Sequence, residues 1–138
     1  MTRGETIATA PVPGSVSEAV LDMVAIDKIR AIAAKRGSSL LEQIVDQFRA
    51  ISPPLVETMR EKARDGDLQG VWQEAHNLRS SAAAIGAYRV SRCCAEIETM
   101  ANQNRNLPDE AVLTALEREL AAAIHALREL TEADTRVA

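Results

Sequence analysis

Aromatic residues are nearly missing from this 138-residue chain, which holds one Trp, one Tyr and one Phe, 2% of the total. Strands are normally enriched in aromatic and β-branched residues. Their scarcity beside frequent Ala, Leu, Glu and Arg argues against a sheet protein and for helices. Positive charge is not in excess either. Sixteen Lys and Arg against 20 Asp and Glu leave a net charge of −4 and a pI near 5.2, whereas a dedicated nucleic-acid binder shows a basic stripe. No apolar run approaches the roughly 20 residues needed to cross a bilayer. Met1 to Gly14 carries one early Arg but no apolar block, which is not the pattern of a secretory signal. The two cysteines, Cys93 and Cys94, are adjacent. Neighbouring side chains on a helix diverge by about 100°, so an internal disulfide is disfavoured and a cytoplasmic location is expected. Gly-rich phosphate loops, a Walker motif and metal-ligand clusters are also lacking. What remains is 46% apolar and 26% charged residues, enough for one soluble domain with its own core.

Residues 1–19 mix Thr, Ala, Pro, Gly and Ser without periodicity and read as a flexible leader or linker. A helical bundle is expected over 20–132, followed by a short tail at 133–138. From about Val20, Met23 or Val24, Ile26, Ile29, Ile32 and Ala33 mark a short amphipathic helix ending near Gly37. Ser38 and Ser39 can cap the next helix, with Glu42 completing a capping box. Its apolar stripe is Leu41, Ile44, Val45, Phe48 and Ile51, continued by Leu55, Met59 and Ala63. Pro53-Pro54 either kinks or breaks this segment. Asp67 suits the N-cap of a further helix and Gly86 its end. Another helix runs from about Tyr88 to Asn102, with Val90, Cys93 or Cys94, Ile97 and Met100 or Ala101 on one side. Pro108 fits the first turn of the last helix, whose apolar positions are Val112, Leu116, Leu120, Ala123, Leu127 and Leu130. Long amphipathic helices joined by short loops form an antiparallel, up-down-up-down four-helix bundle, here with an additional short N-terminal helix.

His76 lies in the middle of one of these helices. With about 100° per residue and His76 at zero, Leu68, Val71, Ala75, Leu78, Ala82 and Ile85 centre near −130°. His76 is therefore expected to face water. Trp72, Gln73, Arg79, Ser80 and Ala83 share its face, and Glu74 projects to the other side, so the helix itself brings no acidic residue here. Neutral imidazole is a nucleophile near neutral pH. Arg79, one turn on, can give charge-assisted hydrogen bonds to an anion on the ring. Ser80 and Ala83 leave a flat surface for a second protein, and Trp72 is an aromatic of the kind that anchors interfaces. On periodicity alone the plainer reading, a solvated surface histidine, is the favoured one. His125 is read as an ordinary surface residue and the cysteines as small packing residues.

Ala75-His76-Asn77-Leu78-Arg79-Ser80-Ser81-Ala82, followed by Ile85-Gly86-Ala87, resembles the signature of histidine-containing phosphotransfer (HPt) domains. That signature reads Ala-His-any-Leu-Lys-Gly-Ser-Ala and closes with aliphatic-Gly-Ala. The likeness extends to Val90, Cys93, Cys94, Ile97 and Glu98, and upstream to Phe48, Leu55 and the Gly66-Asp67 helix start. It covers about residues 22–130 and is densest over 66–98. Arg79 and Ser80 stand where the family has lysine and glycine. Arginine keeps the charge and adds a planar fork, but it is bulkier. Serine trims the clearance of glycine and offers a hydroxyl.

The resemblance implies a phosphocarrier rather than an enzyme with ATP-binding or autokinase motifs. It would take a phosphoryl group from an aspartyl phosphate on a response-regulator receiver domain and pass it to another receiver. The implied partners are receivers of a hybrid sensor histidine kinase and of a downstream regulator, with no nucleic acid or membrane and a monomeric carrier. His76 would be the phosphoacceptor and Arg79 the counter-charge. Gln73 and Ser80 would bond the phosphoryl group, and Trp72 and Ala83 would belong to the docking surface. No cofactor or metal is expected on this chain, because magnesium would sit on the receiver. Two other readings use the same residues. One is a docking or inhibitory module that binds a receiver or kinase without transfer. The other is the dimerisation domain of a histidine kinase, where Asn77 replaces the usual acidic residue.

Overall fold

The computed structural model describes residues 20–36 and 39–137; the leader at 1–19 and the capping candidate Ser38 lie outside them. Among the described residues all regular structure is helical: α1 Met23–Arg36, α2 Leu40–Arg64, α3 Leu68–Ala84, α4 Tyr88–Asn102 and α5 Glu110–Val137. Helices α2 to α5 each pack on the next, and α5 returns against α2, which closes the antiparallel four-helix bundle. The short α1 packs against α2 as the additional N-terminal helix.

Helix α2 runs unbroken through Pro53 and Pro54. Proline removes the hydrogen bond to the carbonyl four residues earlier, here those of Arg49 and Ala50. Both prolines and both of those residues are on the exposed flank, where water can take over the freed carbonyls. The buried stripe, Leu41, Val45, Phe48, Ser52, Val56 and Met59, continues past them undisturbed. That register corrects one expectation. Ile51, placed in the stripe from sequence, is 46% exposed. From Phe48 a step of four residues turns the helix by about 40°, but a step of three by about 60° the other way, so Ser52 takes the inward position. Ile32 on α1 is likewise exposed, and so is Val24, leaving Ile26 as the inward anchor.

Caps and turns fix the helix ends. Asp67 caps α3 by accepting from the Gly70 N–H at 2.8 Å. The expected capping box at Ser39 does not form. Ser39 is the N-cap of α2 but makes no side-chain cap bond, and its hydroxyl oxygen instead accepts from Gln43 Nε2 at 3.5 Å. Pro108 is not in the first turn of α5; Asp109 follows it and caps that helix by accepting from the Val112 N–H at 3.0 Å. Helix α5 also continues to Val137, through residues expected to form a tail. Asp134 there receives Arg30 of α1 in a two-pronged pair at 3.0 and 3.1 Å.

Gly86 joins three elements at one turn. It ends α3 with φ +84°, and its carbonyl accepts from the Asp22 N–H at the start of α1 at 2.7 Å. A Cβ at this position would lie 2.7 Å from the Asp22 carbonyl oxygen. Across the bundle, buried Arg60 of α2 is held by Glu57 at 2.7 Å, Glu110 at 2.9 Å and Glu117 at 3.0 Å. The hydrogen bonds that its guanidinium donates to Glu117 and Glu110 push its pKa further up. A buried guanidinium with its partners removed would be costly, so this cluster ties α5 to α2 in one register.

Gly86→Ala is expected to lower the unfolding free energy by more than the roughly 1–2 kcal/mol of a left-handed residue alone. Gly66→Ala, also at positive φ (+74°) but with open space around its Cβ, should lose only that amount. Equal losses in urea titrations would contradict the contact to Asp22. A second expectation concerns Cys94, which is fully buried. Burial first, then the neighbouring Cys93 and Glu98, push its thiol from about 9 up to about 12. The unfolded chain then releases this proton near pH 9 while the folded chain keeps it. Stability from this source is present below pH 9 and declines as pH rises toward 12. Cys94→Ala should flatten that alkaline decline in pH-dependent urea titrations.

Candidate functional site

Helix α3 turns Val71, Ala75, Leu78 and Ala82 into the core, as the wheel requires, and this sets His76 on its flank toward α4. The imidazole is not fully in water. Its side chain is 41% exposed, while Nδ1 is buried and has no hydrogen-bond partner. The open edge of the ring therefore carries Nε2.

Two side chains hold the ring. Trp72, one turn earlier on the same face, stacks on it with centroids 4.9 Å apart and planes 10° from parallel. Glu98 of α4 brings Oε1 to 3.5 Å from Nδ1. That is close enough for attraction between charges but is not a hydrogen bond. The other carboxylate oxygen, Oε2, accepts from Arg79 Nε. Glu98 is only 13% exposed and Arg79 is 42% exposed. One carboxylate thus addresses two α3 side chains a helical turn apart.

The helix's own face around His76 carries no acidic residue, as the wheel expects, but Glu98 brings a carboxylate to it from α4. A helical wheel sees only its own helix, whereas Glu98 arrives from α4. In the sequence it is marked only as a position matching the family pattern. Its chemistry bears on the ring. For Nε2 to hold a lone pair, a neutral imidazole keeps its proton on Nδ1. That N–H then points toward a carboxylate, which stabilises this tautomer and any positive charge arising on the ring.

The remaining predicted residues divide. Arg79 is on the expected flank, but it is paired with Glu98 rather than standing free. Gln73 is exposed and its amide donates to Asn77 Oδ1 at 3.2 Å, so it has no bond to His76. Ser80 and Ala83 are exposed small residues and leave the surface beyond the ring low. Glu74 turns away, as expected, to meet Lys62 of α2 at 3.0 Å. His125 lies on α5, exposed and 3.4 Å from Glu129. Among the described residues, no group of three or more His, Cys, Asp or Glu is placed to hold a metal ion, and no helix is long and apolar enough to cross a membrane.

The Hpt domain family model matches residues 43–130, a span that runs from α2 into α5 and includes His76 and Glu98. Among solved structures, the fold is similar to that of histidine-containing phosphotransfer protein B (HptB) from Pseudomonas aeruginosa PAO1. The TM-score is 0.71 at 18% identity, covering 82% of this chain and 95% of that one. No curated protein matches the sequence. At 18% identity the structural likeness speaks for the fold, and the family match over most of the bundle speaks for membership. The chain belongs to the Hpt domain family.

Proposed function

We propose that this protein is a phosphocarrier in which His76 Nε2 accepts a phosphoryl group from an aspartyl phosphate of a receiver domain and yields it to another receiver. One observation carries the reading. His76 keeps Nδ1 buried beside Glu98 and presents Nε2 at a half-exposed edge. In the transfer the Nε2 lone pair attacks phosphorus, an N–P bond forms, and the P–O bond to the aspartyl carboxylate breaks. The Nδ1 proton stays in place throughout. Such a step depends on in-line positioning and charge stabilisation more than on proton transfer by the carrier.

The chain's contribution is accordingly a fixed ring, an adjacent cation and clearance. Stacking on Trp72 and the carboxylate of Glu98 limit rotation of the imidazole. Arg79 and the Ser80 hydroxyl are at hand for phosphoryl oxygens, with Gln73 at the rim. Ala83 leaves room for the partner, and Trp72 offers it an apolar anchor. The metal and acidic pocket belong to the receiver, so the carrier needs no cofactor, autokinase motif or second copy of itself. The partners we infer are receivers of a hybrid sensor kinase and of a downstream regulator, in the cytoplasm.

A receiver carrying radioactive phosphate should label this protein with an acid-labile, base-stable adduct. His76→Gln should abolish the label while leaving the unfolding free energy within about 0.5 kcal/mol, as expected for a half-exposed side chain. Label that persists in this variant would exclude His76. Receiver binding without transfer under any condition would select a docking module instead. Trp72 is the chain's one tryptophan, so its emission should change when a receiver docks. Trp72→Ala should weaken docking by about 1–2 kcal/mol in titration calorimetry, the cost of losing an aromatic anchor.

A further inference from the structure

Glu98 serves two groups with one carboxylate, and the structure satisfies only one of them fully. Arg79 holds Oε2, whereas Nδ1 of His76 is buried beside Oε1 at 3.5 Å with no hydrogen bond. An unpartnered buried polar atom is uncommon, and each instance calls for a reason. Here the reason is visible in the charges. With the ring neutral, as a nucleophile must be, the formal charges of this cluster among the described residues are those of Arg79 and Glu98, and they cancel. Adding a phosphoryl group to Nε2 changes both sides. The ring, with its proton still on Nδ1, becomes cationic next to Glu98, and phosphoryl oxygens appear one turn from Arg79.

On the reading of His76 as phosphoacceptor, we propose that phosphorylation exchanges the partners of Glu98. Arg79 leaves the carboxylate for the phosphoryl oxygens, and the Nδ1–H of His76 takes its place on Glu98. The exchange conserves charge pairing. One pair before, Arg79 with Glu98, becomes two after, the ring with Glu98 and Arg79 with phosphoryl. It needs only side-chain motion, since Arg79 is 42% exposed and spaced i,i+3 from His76, within reach along the helix surface. Charge-assisted hydrogen bonds to phosphoryl oxygens suit the guanidinium fork at least as well as its present single bond through Nε. Arg79 is then a positioning group held in reserve by Glu98, and Glu98 is the element that senses whether the ring is charged.

The test uses the whole chain, labelled with ¹⁵N and phosphorylated chemically with phosphoramidate, with mass spectrometry locating the modification. In the free protein the Arg79 Nε–H resonance should differ between wild type and Glu98→Gln. After phosphorylation the two should converge, and the His76 Nδ1–H should become slow to exchange with water in wild type but not in Glu98→Gln. Arg79→Gln gives an independent arm. With Glu98 vacated, Nδ1–H exchange should already be slow without phosphate. Circular dichroism of both variants verifies that the bundle is intact. If His76 is modified while Arg79 stays on Glu98, or if Arg79→Gln leaves Nδ1–H exchange unchanged, the partner exchange is wrong and the phosphoacceptor reading stands. If phosphoramidate and phosphorylated receivers both leave His76 unmodified, the two fall together.

Discussion

Helices α3 and α4 pack directly against each other, and each buries small side chains, Ala75 and Ala82 on α3 and Cys94 and Ala101 on α4, that suit a close approach. That approach is the constraint on which the site depends. A carboxylate on α4 meets a histidine and an arginine on α3 only across such a short gap. The turn between the helices is closed by Gly86, where a side chain would strike the start of α1. The same turn therefore sets the α3–α4 spacing and ties α1 to it through the Asp22 N–H. Larger residues at the seam would widen it, and Glu98 would lose its hold on both partners.

Within that gap, orientation of the imidazole follows from packing and charge together. Trp72 stacks on the ring, Glu98 stands beside Nδ1, where it favours the Nδ1–H tautomer, and Nε2 is left at the open edge. A freely rotating surface histidine would present either nitrogen in many directions. This site gives up part of the ring's hydration to select one. The sequence's departures from the family pattern sit in the same few ångströms. Arg79 stands in place of lysine and, among the described residues, engages Glu98 through Nε alone, and Ser80, in place of glycine, is a small exposed residue one position on.

Much of this was legible from residue patterns alone. The inward stripe of α3, the Asp67 cap, the Gly86 stop and the span Tyr88–Asn102 follow from local rules of helix periodicity and capping, and the structure has them. Where tertiary packing decides, the pattern was insufficient. Pro53 and Pro54 read as a kink or break because the rule for proline assumes a needed hydrogen bond, and on this exposed flank water substitutes. Ile51 read as core because a spacing of three is as helical as four, but only the neighbouring helices fix which is turned inward. Glu98 could be matched to a family position, yet its contacts with His76 and Arg79 lie between helices, beyond any single-helix wheel. Arg60, buried among Glu57, Glu110 and Glu117, was missed for the same reason, since its partners are spread over two helices.

On the proposed phosphocarrier reading, burial of Nδ1 against Glu98 leaves Nε2 of His76 as the atom that takes the phosphoryl group. Phosphorus–nitrogen correlation in protein labelled with ¹⁵N in its histidine rings, recorded after transfer from a phosphorylated receiver, tests it most directly. Coupling of phosphorus to Nε2 of His76 is the predicted result; coupling to Nδ1, or to either nitrogen of His125, would contradict it.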